Sequence, residues 1–149
     1  MRREVEHSID IARPPEEVFP YVTDPKHWPQ WSALVIDVRS QQPGPLTANG
    51  TFTVVAKLVG RQFETHSTVT EVVENRLLAY TSTSGPVPST FTWRFDPTKT
   101  GTRLTQTVST DDEQVGRFFR LGFPLIEAAY RRQMAADLAT LKDLLQSQP

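Results

Sequence analysis

The chain has 149 residues, is 38% hydrophobic and 22% charged, and carries 17 acidic against 16 basic side chains for a formal net charge of −1. That length suits one domain over residues 1–149, and no Lys/Arg block is long enough to track a phosphate backbone, so nucleic acid is not an expected partner. The absence of cysteine excludes disulfides, thiolate nucleophiles and Cys-ligated metals; with no apolar signal-peptide core near Met1 and no run approaching a membrane span, a cytoplasmic protein without integral membrane association is expected.

In chain order, Val5, Ile9 and Ile11 alternate with Glu4, Glu6, Ser8 and Asp10, the period of a half-buried strand. Pro14-Pro15 ends that strand and presets φ for a helix whose first turn holds Glu16 and Glu17, where the helix dipole favours carboxylates. Asp24-Pro25 stops the helix, and Trp28 and Trp31 follow three residues apart on one side of a second short helix, placed to plug one end of a core.

Strands separated by turn residues come next. Leu34, Ile36 and Val38 alternate; Pro43-Gly44-Pro45 and Asn49-Gly50 frame a loop; Phe52, Val54, Ala56 and Leu58 alternate again. A turn at Gly60-Arg61 leads to Phe63, Thr65, Ser67 and Val69, a turn at Glu74-Asn75-Arg76 to Leu77, Ala79 and Thr81, Gly85-Pro86 to Phe91, Trp93 and Phe95, and Asp96 to Gly101 to Leu104, Gln106 and Val108. About seven antiparallel strands result. Pairing Val59 with Gln62 would set Leu58 opposite Phe63, Ala56 opposite Thr65, Val54 opposite Ser67 and Phe52 opposite Val69. The last hairpin sets Phe95 opposite Leu104, Trp93 opposite Gln106 and Phe91 opposite Val108. His66, Tyr80 and Arg94 then point to the outer face.

After a shorter helical piece from Asp111 to Leu121 and a break at Gly122-Phe123-Pro124, a long helix is expected from about Pro124 to Gln146. Ile126, Tyr130, Met134, Leu138, Leu141 and Leu145 form its apolar stripe, with Asp137 inside the stripe and Glu127 near its edge. Arg117, Arg120, Arg131 and Arg132 read as a solvated face.

Arg13-Pro-Pro-Glu-Glu-Val-Phe, Asp24-Pro25 with Trp28 and Trp31, the segment Val69 to Tyr80, Gly101-Thr-Arg-Leu-Thr-Gln and the segment Leu138 to Leu145, in this order of elements, resemble the START/Bet v 1-like (SRPBCC) superfamily, in its polyketide cyclase/dehydrase-like branch. The resemblance covers nearly the whole chain. It implies an α+β helix-grip fold: a curved antiparallel sheet of about seven strands wrapped around a long C-terminal helix, with two short helices after the first strand. It also implies a cavity between helix and sheet for a lipid, polyketide or other apolar molecule; some members are cyclases or dehydratases, so the fold does not give the function.

Face parity nominates His7, Phe52, Val54, Phe63, Thr65, Ser67, Thr81, Thr83, Phe91, Trp93, Gln106, Tyr130 and Met134 as ligand-contacting, around a cavity of several hundred Å³, the usual size of small-molecule sites. His7, Tyr130 and Asp137 are the candidates for acid/base chemistry. Each also has an ordinary role: a core histidine, a ring packed with its hydroxyl at a wet edge, and a carboxylate paired or exposed near the helix end. No His-Glu-x-x-His, glycine-rich phosphate loop, Gly-x-Ser-x-Gly elbow or acidic metal cluster occurs, and the three histidines, His7, His27 and His66, fall on separate faces, so no metal or cofactor is expected. No inward Arg or Lys is available to hold an anion. The sequence therefore points to binding of a hydrophobic, largely neutral small molecule by a monomer or homodimer. A cyclase/dehydratase-like enzyme and a protein-interaction regulatory module stand as the alternatives.

Overall fold

The structure, a computed structural model, describes residues 2–58, 60–84, 88–111 and 117–148. Its strands β1 (Arg2–Ile11), β2 (Val35–Ser40), β3 (Thr51–Leu58), β4 (Arg61–Val73), β5 (Leu77–Ser82), β6 (Ser89–Pro97) and β7 (Thr102–Asp111) form one antiparallel sheet in the order β1-β7-β6-β5-β4-β3-β2. Between β1 and β2 lie helix α1 (Pro15–Thr23), a 3-10 turn (Pro25–His27) and helix α2 (Trp28–Trp31); α3 (Arg117–Gln146) packs along β1 and touches α2. This is the expected α+β helix-grip arrangement. Val59, the Gly85-Pro86 turn and residues 112–116 of the shorter helical piece expected from Asp111 lie outside the described residues, and the rest of that piece, from Arg117, is the first part of α3.

The segment between β1 and β2 folds through its prolines and one aspartate. Pro15 opens α1 with Glu16 and Glu17 in the first turn, and Val18 and Val22 are fully buried. Asp24 accepts a hydrogen bond from Lys26 N at 3.2 Å and opens the 3-10 turn. Trp28 then donates from Nε1 to the Val22 carbonyl at 2.7 Å, fastening α2 to the end of α1 and leaving both tryptophan rings turned toward the sheet.

Register decides which side chains meet them. The β6–β7 hairpin pairs Phe95 with Leu104, Trp93 with Gln106 and Phe91 with Val108, as expected. The β3–β4 hairpin differs by two: Ala56 pairs with Phe63, Val54 with Thr65 and Phe52 with Ser67. Gly60 (φ +75°) occupies the last loop position before Arg61, so Arg61 is already a strand residue opposite Leu58. A shift of two preserves side-chain parity, and the inner face of β3 and β4 stands.

Two irregularities reverse parity elsewhere. In β4 the pairing passes from Val69↔Tyr80 to Glu71↔Ala79, leaving Thr70 extra. Tyr80 is consequently inward, 6% exposed, opposite Val69 and Phe91, whereas Leu77, Ala79 and Thr81 turn outward; the expectation that Tyr80 faces out is corrected. Arg94 and His66 are outside, as expected. In β2 a shift between Val35 and Asp37 turns Val35 and Val38 to the core and leaves Ile36 47% exposed, which corrects the expected alternation of Leu34, Ile36 and Val38.

Helix α3 runs without interruption through Pro124, where a break was expected. One proline removes one hydrogen bond, and the residues beyond it are rich in Leu, Ala, Arg and Gln, which keep helical dihedrals at little cost. Met134, Leu138, Leu141 and Leu145 are buried; the Ile126 side chain, and those of Arg117 and Arg120, lie outside the described residues. Arg131 and Arg132 are exposed, and Arg131 pairs with Glu127, which also meets Arg3 at 3.4 Å. Asp137, 6% exposed, is satisfied without a cation: Gln133 Nε2 at 2.8 Å and Ala33 N at 3.1 Å donate to Oδ1, and Ser32 Oγ at 3.0 Å donates to Oδ2. The carboxylate thus clamps α3 to the junction of α2 and β2.

Asp137→Ala leaves the Ala33 amide and the Ser32 hydroxyl without their acceptor; a loss of about 2–4 kcal/mol and a Tm lower by roughly 5–15 °C are expected in thermal melts. Asp137→Asn, which keeps Oδ1 as an acceptor, should lose about 1 kcal/mol. Gly101 marks a second joint, since a Cβ there would lie 2.1 Å from the Ile11 carbonyl oxygen and 2.7 Å from Arg13 N. Both are backbone atoms that cannot swing aside, so Gly101→Ala should cost upwards of about 3 kcal/mol in denaturant titrations, against about 1 kcal/mol for Gly60→Ala, where the space is open and only φ opposes the change.

Candidate ligand cavity

A cavity of about 150 Å³ lies between the inner face of the sheet and helices α2 and α3. It is smaller than the several hundred Å³ expected, because aromatic side chains occupy much of the space between the layers. Tyr80 stacks on Phe91 (4.9 Å between centroids) and Trp28 (5.8 Å), Phe52 meets Tyr80 edge-on at 5.1 Å, and Trp31 meets Trp93 edge-on at 5.7 Å. All three tryptophans of the chain line the cavity.

Each element contributes according to its parity. From β3 come Val54 and Ala56, from β4 Thr65 and Ser67, from β5 Tyr80, from β6 Phe91 and Trp93, and from β7 Gln106. Helix α3 presents Tyr130, Met134 and Asp137, one side chain every three or four residues, while Trp28, Trp31, Ser32, Leu34 and Val35 close the remaining side.

Of the residues nominated from sequence, Val54, Thr65, Ser67, Phe91, Trp93, Gln106, Tyr130 and Met134 stand in the wall. Phe52 does not: it is 3% exposed and packed behind the wall between Trp28 and Tyr80. Phe63 shares the inner face but lies farther along β4, toward the hairpin, and His7 stands on β1 opposite Gln106 without reaching the wall. Thr81 and Thr83 are displaced to the outer side by the irregularity at Thr70; Thr83 Oγ1 donates to the His66 carbonyl at 3.2 Å. Tyr80 is the principal residue that alternation missed. A signal for it existed, because an aromatic residue two positions from Leu78 suits a buried face better than Ala79 and Thr81 do.

The polar groups of the wall divide into an engaged set, Trp28, Ser32, Trp93 and Asp137, and others that keep hydrogen-bonding capacity. Ser67 is 3% exposed, and its Oγ has no hydrogen-bond partner among the described residues, so the hydroxyl opens onto the cavity. The Tyr80 hydroxyl accepts from Trp93 Nε1 at 3.3 Å and has no acceptor for its own proton there, and the buried Trp31 Nε1 has no partner. No Lys, Arg or His lines the space, and both oxygens of its one carboxylate, Asp137, are engaged. Burial raises the Tyr80 hydroxyl well above its ordinary value of 10. Burial does the same to Tyr130, reinforced by Tyr80 and Asp137, which line the same cavity. Of the three acid/base candidates the structure brings Tyr130 and Asp137 together and leaves His7 apart. Among the described residues no His, Asp and Glu side chains group as a metal cage, and no helix is long and apolar enough to cross a membrane.

Comparison with known proteins agrees with this architecture. A protein from Thermus thermophilus is 19% identical, with 97% of each chain covered and a TM-score of 0.77. The Zhui aromatase/cyclase from Streptomyces is 18% identical over 98% of this chain and 94% of that one, with a TM-score of 0.79. The di-domain ARO/CYC protein BexL is 16% identical over 99% of this chain and 51% of its own, with a TM-score of 0.77. At these identities the likeness is one of fold. No curated protein matches the chain in sequence. The family described as polyketide cyclase / dehydrase and lipid transport, however, matches residues 2–146, and the chain belongs to that family.

Proposed function

We propose that this protein binds a hydrophobic, largely neutral small molecule of lipid, polyketide or aromatic type in the cavity between its sheet and α3. The observation that carries the reading is Ser67: a hydroxyl inside an aromatic-walled cavity with no partner among the described residues, where a buried polar group is ordinarily satisfied. A ligand oxygen would supply the missing bond. The absence of any cation from the wall disfavours carboxylates and phosphates, whose desolvation would go uncompensated. On this reading the chain acts as one domain over residues 1–149, monomeric or homodimeric, in the cytoplasm, on a diffusible ligand and without metal, cofactor or nucleic acid.

The alternative reading is a cyclase/dehydratase-like enzyme, which the Zhui and BexL likenesses favour and for which Tyr130 is the available acid in the wall. His7 stands apart and the Asp137 oxygens are already bonded, so a proton relay through all three lacks its geometry. A protein-interaction module is supported least: among the described residues the exposed large apolar side chains, Ile36, Val73 and Leu125, sit on three different elements.

Because Trp28, Trp31 and Trp93 all line the cavity, intrinsic fluorescence reports on it directly. Titration with small neutral aromatics should give saturable quenching with Kd on the order of 10–1000 μM, the range expected of about ten heavy atoms. Ala56→Leu, which fills part of the cavity, should weaken it at least tenfold; quenching that stays linear and unsaturated for every compound, or that Ala56→Leu leaves unchanged, would remove the binding hypothesis. Since both tyrosine hydroxyls are raised above 10, they remain protonated and Kd should be flat between about pH 6 and 9. At higher pH the folded state retains protons that the unfolded chain releases, so stability should decline as pH rises past about 10.

A further inference from the structure

The unpartnered polar groups that the sheet gives to the cavity wall lie at two ends of it, not around one point. Thr65 and Ser67 share the inner face of β4, and neither hydroxyl has a partner among the described residues. Gln106 stands on β7; its amide is likewise unpartnered there but not sealed off, so it opens onto the space that its side chain lines.

Register measures the gap between these ends. Ser67 pairs with Ser82, Ser82 stands opposite Ser89 one step beyond the Thr81 and Thr90 pair, and Ser89 pairs with Thr110. The level of Ser67 therefore meets β7 at Thr110, four residues from Gln106. Three strand spacings of about 4.8 Å and four residues of about 3.3 Å set the two groups roughly 20 Å apart along the sheet, a path that its curvature and the glutamine side chain shorten. Aromatic side chains fill the interval: Tyr80 on β5 stacks on Phe91 of β6 at 4.9 Å, and its oxygen accepts from Trp93 Nε1 at 3.3 Å. Over the β7 side, Tyr130 packs against the cluster of Val5, Val108 and Met134.

The wall thus runs from polar through aromatic to polar. Water can serve the end groups of a partly open cavity, but a ligand lying along the aromatic stretch displaces that water and must replace its hydrogen bonds. A molecule with an oxygen at one end only would leave the other end covered and unpaired. No Lys, Arg or His lines the space, so both ends of a matching molecule are uncharged.

We propose that the cavity selects a neutral elongated molecule with a hydroxyl or carbonyl group at each end of a flat apolar middle, one end bonded at Thr65 and Ser67 and the other at Gln106. The inference rests on the binding reading above and narrows it to ligands that are polar at both ends.

The test uses the full chain and three probes of one length, followed by calorimetry and tryptophan quenching: trans-stilbene, 4-hydroxystilbene and 4,4′-dihydroxystilbene. Each added hydroxyl lowers hydrophobicity, so partition alone would rank the parent hydrocarbon first. The dihydroxy compound should instead bind tightest, by about fivefold over the monohydroxy compound, the scale of one net hydrogen bond. Ser67→Ala and Gln106→Leu should each weaken the dihydroxy compound by about the same factor. The monohydroxy compound can turn end for end, so either single variant should leave its affinity nearly unchanged and only the double variant should lower it. A dihydroxy compound that binds no tighter than the monohydroxy one, or single variants that weaken both alike, would overturn this inference and leave the binding reading intact. Absence of saturable binding by all three would overturn it too, and the titration with small aromatics then decides whether the binding reading falls with it. Should a variant fail to fold in thermal melts, the wild-type ranking of the three probes decides.

Discussion

The contact on which the rest of the structure depends is the aromatic joint between α2 and the inner face of the sheet. Trp28 reaches Phe52 on β3 and Tyr80 on β5; Trp31 reaches Trp93 on β6. These rings span several strands, so a helix of only four residues, too short to be stable alone, is held by side-chain packing rather than by its own hydrogen bonds. The same joint closes one side of the cavity. Were the two tryptophans smaller, the layers would collapse together or the interior would open to solvent, and in either case the enclosed space would be lost.

Asp137 gives this joint its polar counterpart. A carboxylate buried in an apolar stripe is costly unless its lone pairs are used, and here the Ser32 hydroxyl, the Ala33 amide and the Gln133 amide use them. The arrangement ties the middle of α3 to the start of β2, the edge strand nearest the cavity. It also occupies the carboxylate that would otherwise be the most reactive group in the wall. Chemistry in the cavity then falls to hydroxyls and an amide, groups suited to orienting a neutral molecule.

Room kept between two layers is packing forgone, and a hydroxyl such as Ser67 Oγ with no partner among the described residues adds to the cost. Such costs are common where a site is shaped for a ligand and uncommon in cores that exist only to be stable.

Period-two alternation, proline and glycine punctuation and the helical stripe ending at Leu145 were enough to determine, from the sequence by itself, the order of elements, the antiparallel sheet and the inward set Val54, Thr65, Ser67, Phe91, Trp93 and Gln106. These depend on local sterics and on pairings between strands joined by short turns, where an error of two residues at Gly60 leaves every side chain on its proper face. Tertiary structure alone decided what lies beyond the two register shifts. One extra residue at Thr70 moves Tyr80 into the wall and Thr81 and Thr83 out of it, and the shift at Ile36 does the same for Val35. A bulge has no period of its own to read, since it relieves curvature that the whole sheet imposes. The partners of Asp137 were likewise hidden, because Ser32 and Ala33 are more than a hundred residues away in the chain and meet it only once α3 lies against α2. The size of the cavity was decided last and least locally: it is the space left after six strands and two helices have set the distance between their aromatic side chains, a quantity that no single segment contains.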